Sequence, residues 1–161
     1  MDWADFEYRN IVTVNMMEAV GESQVFAEKT GLGTGPMEEL ITEAFGAVAG
    51  GYSKRYVAAN LPSSTYSGIC TDDIRLTSGA YAPPIESRPG FGVSLAIKDA
   101  DHAFAMAKEQ NVDLPGLQIA RDNMAAAREY GGECLDSSSM YGILRQKAGM
   151  EFWNEKSRKG N

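Results

Sequence analysis

The sequence predicts an all-α domain, and three observations carry that expectation. Apolar residues recur at three- and four-residue intervals over several long segments. Those segments open and close on proline, glycine and capping residues of the helical kind. No stretch of useful length alternates in the two-residue period of a half-buried strand, and no segment repeats. The 161 residues suit one domain, spanning 1–161, with a core of its own.

The first helix is expected over residues 2–30. It contains no proline, and its apolar residues Phe6, Tyr8, Ile11, Val12, Val14, Met16, Met17, Val20, Val25 and Phe26 surround the axis. A helix apolar on every side is central and buried, or shared between subunits. Lys29-Thr30-Gly31 ends it, a cation in the last turn and a glycine suited to a left-handed stop.

Thr34-Gly35-Pro36 opens the second helix, with Glu38 and Glu39 at its positive end. Met37, Leu40, Ile41, Ala44 and Val48 form its buried stripe, and Gly50-Gly51 is expected to stop it. Residues 52–60 are expected to form a short third helix. Residues 62–90, rich in Ser, Thr, Gly and Pro, are expected to be a long irregular loop, a functional lid or a disordered segment.

Residues 90–108 form a clear amphipathic pattern, with Val93, Ala96, Ile97, Ala100, Phe104 and Ala107 on one face. Pro115 opens the next helix and Gly131-Gly132 stops it. Asp136 caps a further helix carrying Met140, Ile143 and Leu144, and a last turn or two is expected at Phe152 and Trp153. The total is six or seven helices.

Charge and composition exclude several classes of function. A formal net charge of -7 repels phosphate backbones, so no nucleic-acid partner is expected. The basic tail, Lys156, Arg158 and Lys159, is expected to be a short solvated end. No apolar run approaches the ~18–20 residues that span a bilayer, so no membrane partner is expected. The N-terminus, Met1-Asp2-Trp3-Ala4-Asp5, lacks a signal peptide's basic start and apolar core. Two cysteines, Cys70 and Cys134, make no disulfide framework, and free thiols in the cytoplasm are the expectation.

Gly31-Leu32-Gly33-Thr34-Gly35 looks like a phosphate-cradling loop, but such a loop needs a buried strand before it and a different glycine spacing. It is expected to link two helices. A single histidine, His102, and two distant cysteines offer no metal-ligand spacing, so no metal is expected.

The window 90–105 is the most informative: Phe91 stands eight residues before Asp99 of the Lys98-Asp99 pair. Asn10 leads into Glu18-Ala19-Val20-Gly21-Glu22 and then Ala27-Glu28-Lys29-Thr30-Gly31-Leu32. Val112-Asp113-Leu114-Pro115, Tyr130-Gly131-Gly132 and Leu135-Asp136-Ser137-Ser138 follow in order. Over residues 8–148 this resembles the C-terminal helical domain of the β-hydroxyacid dehydrogenase family. That family includes 3-hydroxyisobutyrate dehydrogenase and has a 6-phosphogluconate dehydrogenase C-terminal-like fold.

The resemblance implies a helical bundle that builds half of an active site and most of a dimer interface, with the cofactor on a separate Rossmann domain. On this resemblance the chain starts where the helical domain starts, so the cofactor half is expected to be absent and no cofactor is expected to bind. The family's catalytic lysine lies four residues before the asparagine that matches Asn10, and that position holds Phe6. Phenylalanine moves no proton. The flanking Asp5 and Glu7 offer no amine, and the paired asparagines are reduced to Arg9-Asn10.

What remains is a candidate pocket. Asp99 lies at the edge of the apolar stripe, about 90° from its centre. Left without its cation it would be desolvated and its pKa raised, which suits a general base. Alternatively it pairs with Lys98, Arg9 or another cation and is structural. Asp99, Asn10 and His102 are the candidate catalytic residues, although His102 points further from the stripe and an exposed histidine is the simpler expectation. Phe91, Lys98, Phe6 and Arg9 are the candidate substrate-binding residues. Phe91 lines a pocket or plugs the core, and Lys98 holds an anionic ligand or is simply solvated.

The expectation is a homodimer that binds a small organic ligand and can catalyse cofactor-free proton transfer, such as isomerisation, cyclisation or elimination. The alternatives are a split dehydrogenase subunit working with a separate Rossmann chain, which Phe6 disfavours, and a non-catalytic dimerisation module.

Overall fold

A computed structural model describes residues 3–56, 81–82, 89–154 and 157. Among them are five α-helices and no strand. They are α1 Trp3–Thr30, α2 Thr34–Tyr56, α3 Val93–Glu109, α4 Pro115–Gly131 and α5 Met140–Lys147, with a 3-10 turn Ser137–Ser139 before α5. An isolated antiparallel bridge joins Gly92 to Asp136. None of the described helices is long and apolar enough to cross a membrane.

The long first helix is the axis of the fold, packed against each of the other four. Val14, Met17, Val20, Val25 and Ala27 are its buried apolar contacts. Its apolar residues fall on two sides, however. Tyr8, Val12 and Phe26 stay exposed, so the helix is central without being covered all round. Polar side chains fix its register. Gln24 donates to Ser53 of α2, and Glu28 pairs with Arg145 of α5.

The glycine-rich run 31–35 links two helices as expected, through residues 31–33, with Thr34 and Gly35 already in the second helix. Gly31 and Gly33 take positive φ, and the Gly33 N–H donates to the Ala27 carbonyl at 3.1 Å.

The second helix departs from expectation. Gly50-Gly51 does not stop it: helical backbone continues to Tyr56, and the break falls at Gly46 (φ 79°, ψ -176°). There the chain doubles back. A Cβ on Gly50 would sit 3.2 Å from the Thr42 Cα, although residues eight apart lie about 12 Å apart along an unbroken helix. The glycine pair therefore serves close packing inside a corner, and the stop is made by the one glycine whose backbone leaves the helical region. The rest of the expected third helix, 57–60, lies outside the described residues.

Gly46 occupies a backbone region that only glycine enters at low cost. Gly46→Ala is expected to destabilise the protein by about 1–3 kcal/mol. Open space surrounds the site, so the loss arises from backbone strain alone. Thermal denaturation checks it, and an unchanged melting temperature would show that the corner is not fixed as described.

The third and fourth helices follow their sequence signals closely. Val93, Ala96, Ile97, Ala100 and Ala103 line the buried face of α3, and Leu117, Ala120, Met124 and Ala127 that of α4. Asp136 caps the 3-10 turn rather than a full helix: its side chain accepts from the Ser138 N–H at 3.0 Å. Its other oxygen accepts from the Phe91 N–H at 2.9 Å, which ties the start of α3 to this turn.

One further expectation is corrected. Phe152 and Trp153 are not helical. The chain leaves α5 at Ala148, turns at Gly149 (φ 73°), and drives Phe152 into the core. Within the stretch 62–90, most positions lie outside the described residues, but Tyr81 and Ala82 are buried. The Tyr81 hydroxyl donates to the Phe152 carbonyl at 2.8 Å and accepts from the Asn154 N–H at 2.6 Å. An aromatic anchor was hidden in a segment whose composition reads as loop.

Candidate functional site

The sequence singles out Asn10 and Asp99, and the fold brings them together. Asn10 lies on the first helix and Asp99 on the third, 89 positions apart in the chain. The Asn10 Nδ2 donates to the Asp99 Oδ2 at 3.2 Å. Asp99 is 3% exposed, which follows from its place at the edge of the Val93–Ala103 face.

Its carboxylate does not lack a cation. The Lys98 ammonium lies 3.1 Å from the other oxygen, Oδ1. The pairing with Lys98, one of the two arrangements open from sequence, is therefore the one found. The two partners differ in access: the Lys98 side chain is 55% exposed and that of Asp99 is 4% exposed. The result is a buried anion with an amide on one oxygen and a solvent-reaching ammonium on the other. Burying a carboxylate is costly unless it is paired and hydrogen-bonded, and both conditions are met here.

The other candidates are dispersed around this pair. His102 is exposed, one turn further along the same helix, as expected. Arg9 is exposed on the first helix. Phe91 is half-buried and packs against the core. Its N–H is held by Asp136, and its carbonyl accepts from the Ser137 N–H at 2.7 Å, so its backbone is pinned to the turn before α5. Phe6 falls in α1, and its side chain lies outside the described residues.

Further along the first helix lies a polar cluster that sequence reasoning missed. Glu18 is buried on the first helix and accepts from Asn123 of α4. The Asn123 carbonyl oxygen accepts from the Lys147 ammonium of α5 at 2.6 Å. The second Glu18 oxygen, Oε2, is buried with no hydrogen-bond partner. Burial pushes the Glu18 carboxyl up to about 7. Glu22 repels it in the same direction, while the Asn123 hydrogen bond and Lys147 oppose the shift. A signal was present: Asn123 stands inside the otherwise apolar stripe Leu117, Ala120, Met124, Ala127.

No group of three or more His, Cys, Asp or Glu side chains among the described residues could hold a metal. Residues 31–35 have a helix, not a strand, leading into them, so they do not form the strand–turn–helix cradle that grips a dinucleotide pyrophosphate.

This is a helical domain in which the buried carboxylate of Asp99 is held between the first and third helices. No family model matches the chain. Over 143 residues it is 24% identical to an NADH-dependent oxidoreductase of Aspergillus ustus, a match that covers 89% of this chain and 42% of that protein. The chain thus spans less than half the length of that relative, and its likeness to oxidoreductases is a distant one.

Proposed function

We propose that the chain binds a small anionic organic ligand beside the Asn10–Asp99 pair and moves protons there without a nicotinamide cofactor. The observation that carries this reading is the contrast across the Lys98–Asp99 ion pair, a buried carboxylate holding an exposed ammonium. Lys98 is the group that a ligand meets. It can receive a carboxylate and pass a proton to a developing oxyanion or carbanion. Asp99 is the buried anchor of that ammonium, and Asn10 fixes the second Asp99 oxygen. His102, one turn further on, supplies an imidazole on the same helix. The resemblance of residues 8–148 to β-hydroxyacid dehydrogenase helical domains supports a site at this place. Phe6, at the position of the family's proton-handling lysine, argues for chemistry other than hydride transfer. Fold ancestry does not set the reaction, so isomerisation, cyclisation and elimination all remain open to the same proton-moving pair.

The test is a thermal-shift screen of small hydroxy and keto acids, followed by calorimetric titration of hits. Binding to the native state raises the melting temperature. Lys98→Met is expected to weaken a hit about tenfold or more, in line with loss of a charge-assisted hydrogen bond of roughly 1.5–3 kcal/mol. Asp99→Asn is expected to abolish any turnover. A hit that binds Lys98→Met as tightly as the unaltered protein sinks the proposal.

A second reading rests on the coverage of 42% of the relative. In that reading the domain works beside a separate nucleotide-binding chain. Adding NADH and NADPH to the same screen tests it: tight binding of either to this chain alone counts against a division of labour.

A further inference from the structure

We propose that Glu18, Asn123 and Lys147 form a proton-operated latch joining the first, fourth and fifth helices. The ionised carboxylate holds the Lys147 ammonium through the Asn123 amide, and a proton from solvent releases that ammonium to water.

The three groups make one hydrogen-bonded chain from the core to the surface. Glu18 is 6% exposed and Asn123 2%, whereas Lys147, the last residue of α5, is exposed. The Asn123 Nδ2 donates to the Glu18 Oε1, and the Asn123 Oδ1 accepts from the Lys147 Nζ at 2.6 Å. The amide turns its donor side to the acid and its acceptor side to the cation. That orientation suits a carboxylate, which only accepts. The amide thus relays an attraction between two opposite charges.

A second arrangement is open to the same atoms. The Glu18 Oε2 is buried without a partner. A proton placed on it becomes a buried donor, and leaving such a donor unpaired is costly. The acceptor at hand is the Asn123 Oδ1, because that amide already stands at the other oxygen of the same carboxyl. Acid and amide then close a ring of two hydrogen bonds. The Glu18 O–H donates to the Asn123 carbonyl oxygen, and the Asn123 N–H donates to the Glu18 carbonyl oxygen. Lys147 no longer has an anion behind the amide. Its ammonium is strongly hydrated and sits on a flexible four-carbon stem, so it returns to water. The end of α5 is tied to α1 in one state and untied in the other.

The surrounding charges place the change near neutrality. Burial and Glu22 on the same helix hold the proton on, Asn123 and Lys147 draw it off, and the carboxyl is pushed up to about 7. The charges on the other packed elements are engaged elsewhere. On α4, Asp122 is exposed and pairs with Gln118 and Arg121. On α5, Arg145 is held by Glu28, further along the first helix. On α3, Lys98 and Asp99 meet each other at Asn10, about 12 Å back along the first helix. The contact of α2 with Gln24 is made by Ser53, which carries no charge. In the 3-10 turn, Asp136 is occupied by Phe91 and Ser138.

The test is NMR on the 13C- and 15N-labelled full chain across the pH range, with Lys147 signals assigned by their loss in Lys147→Met and helices checked by circular dichroism. At about pH 5 no NOE is expected between the Lys147 Hε and Asn123 Hβ protons, and at about pH 8.5 a clear one is expected. Its growth is expected to share a midpoint with the Glu18 carboxyl 13C signal, well below the ~10.4 at which lysine itself titrates. In Glu18→Gln, whose amide pairs with Asn123 as the protonated acid does, the NOE is expected to be lost at every pH. An NOE present at both ends of the range, absent at both, out of step with Glu18, or surviving in Glu18→Gln would each overturn the proposal. No ligand enters the measurement, so its outcome is independent of the reading at Lys98.

Discussion

Phe152→Ala is expected to destabilise the protein by about 3–5 kcal/mol, the range for truncating a fully buried aromatic ring. Phe152 is 0% exposed and sits at the centre of an aromatic cluster. The Tyr130 ring is 4.6 Å away, centroid to centroid, the Trp153 ring 4.5 Å at an interplanar angle of 73°, and the Tyr81 ring 6.0 Å. Its carbonyl also accepts the Tyr81 hydroxyl, so the ring and its backbone together hold the C-terminal segment and residue 81 in one core. The cavity has little means of collapse, because Gly142 of α5 forms its floor and has no side chain to move. A Cβ on Gly142 would run into the Phe152 ring. That geometry gives the experiment an internal control. Gly142→Ala alone is expected to cost about 1–3 kcal/mol by overpacking. In the Phe152→Ala background the same methyl enters vacated space and removes a glycine from a helix, so it becomes neutral or stabilising. Denaturant titration of the four proteins measures the coupling. Additive effects would show that residues 142 and 152 do not share this packing.

Phe152 also shows where the sequence is legible and where it is not. Helices three and four are written in their own residues. The stripes Val93–Ala103 and Leu117–Ala127 repeat at helical spacing, Pro115 opens one helix, and Gly131-Gly132 closes it. Such signals are local, and local signals survive in a single sequence. Asp99 was legible for the same reason, as an acid at a stripe's edge, and the resemblance named Asn10 as a second candidate; their hydrogen bond across 89 positions was not legible. Non-local choices were not legible. Gly46, Gly50 and Gly51 are all capable of ending a helix, and only the packing of Thr42 against Gly50 shows which one turns the chain. Tyr81 looks like one more residue in a Ser-, Gly- and Pro-rich stretch until Asn154 and Phe152 close on its hydroxyl. The apolar girdle of the first helix announced a burial problem, but its division into a core side and an exposed seam depends on where the other helices lie.

Glu18 leads to the second large effect, a stability that falls as pH rises from about 4.5 to about 7. Its carboxyl is raised from 4.5 to about 7 in the folded protein, chiefly by burial. A group whose folded pKa lies above its unfolded value favours the protonated native state. Its contribution is therefore complete below about 4.5, declines through the interval, and is lost above about 7. A rise of that size corresponds to about 3 kcal/mol across the window, as an order of magnitude. The physical reason is on the helix junction. Oε1 is served by Asn123, Oε2 has no partner, and the Lys147 ammonium is engaged with the Asn123 carbonyl oxygen. Glu22 on the same helix adds repulsion. Other carboxylates titrate in the same range, so the informative quantity is the difference between the parent and Glu18→Gln at each pH. Glutamine keeps an acceptor for Asn123 and carries no charge. It is expected to be near neutral at pH 4 and to stabilise by up to about 3 kcal/mol at pH 8. Lys147→Met removes a nearby cation and is expected to extend the decline to higher pH, because the folded carboxyl then holds its proton more tightly. Parallel stability curves for the parent and Glu18→Gln between pH 4 and 8 would mean that the buried carboxyl ionises as freely in the fold as in water.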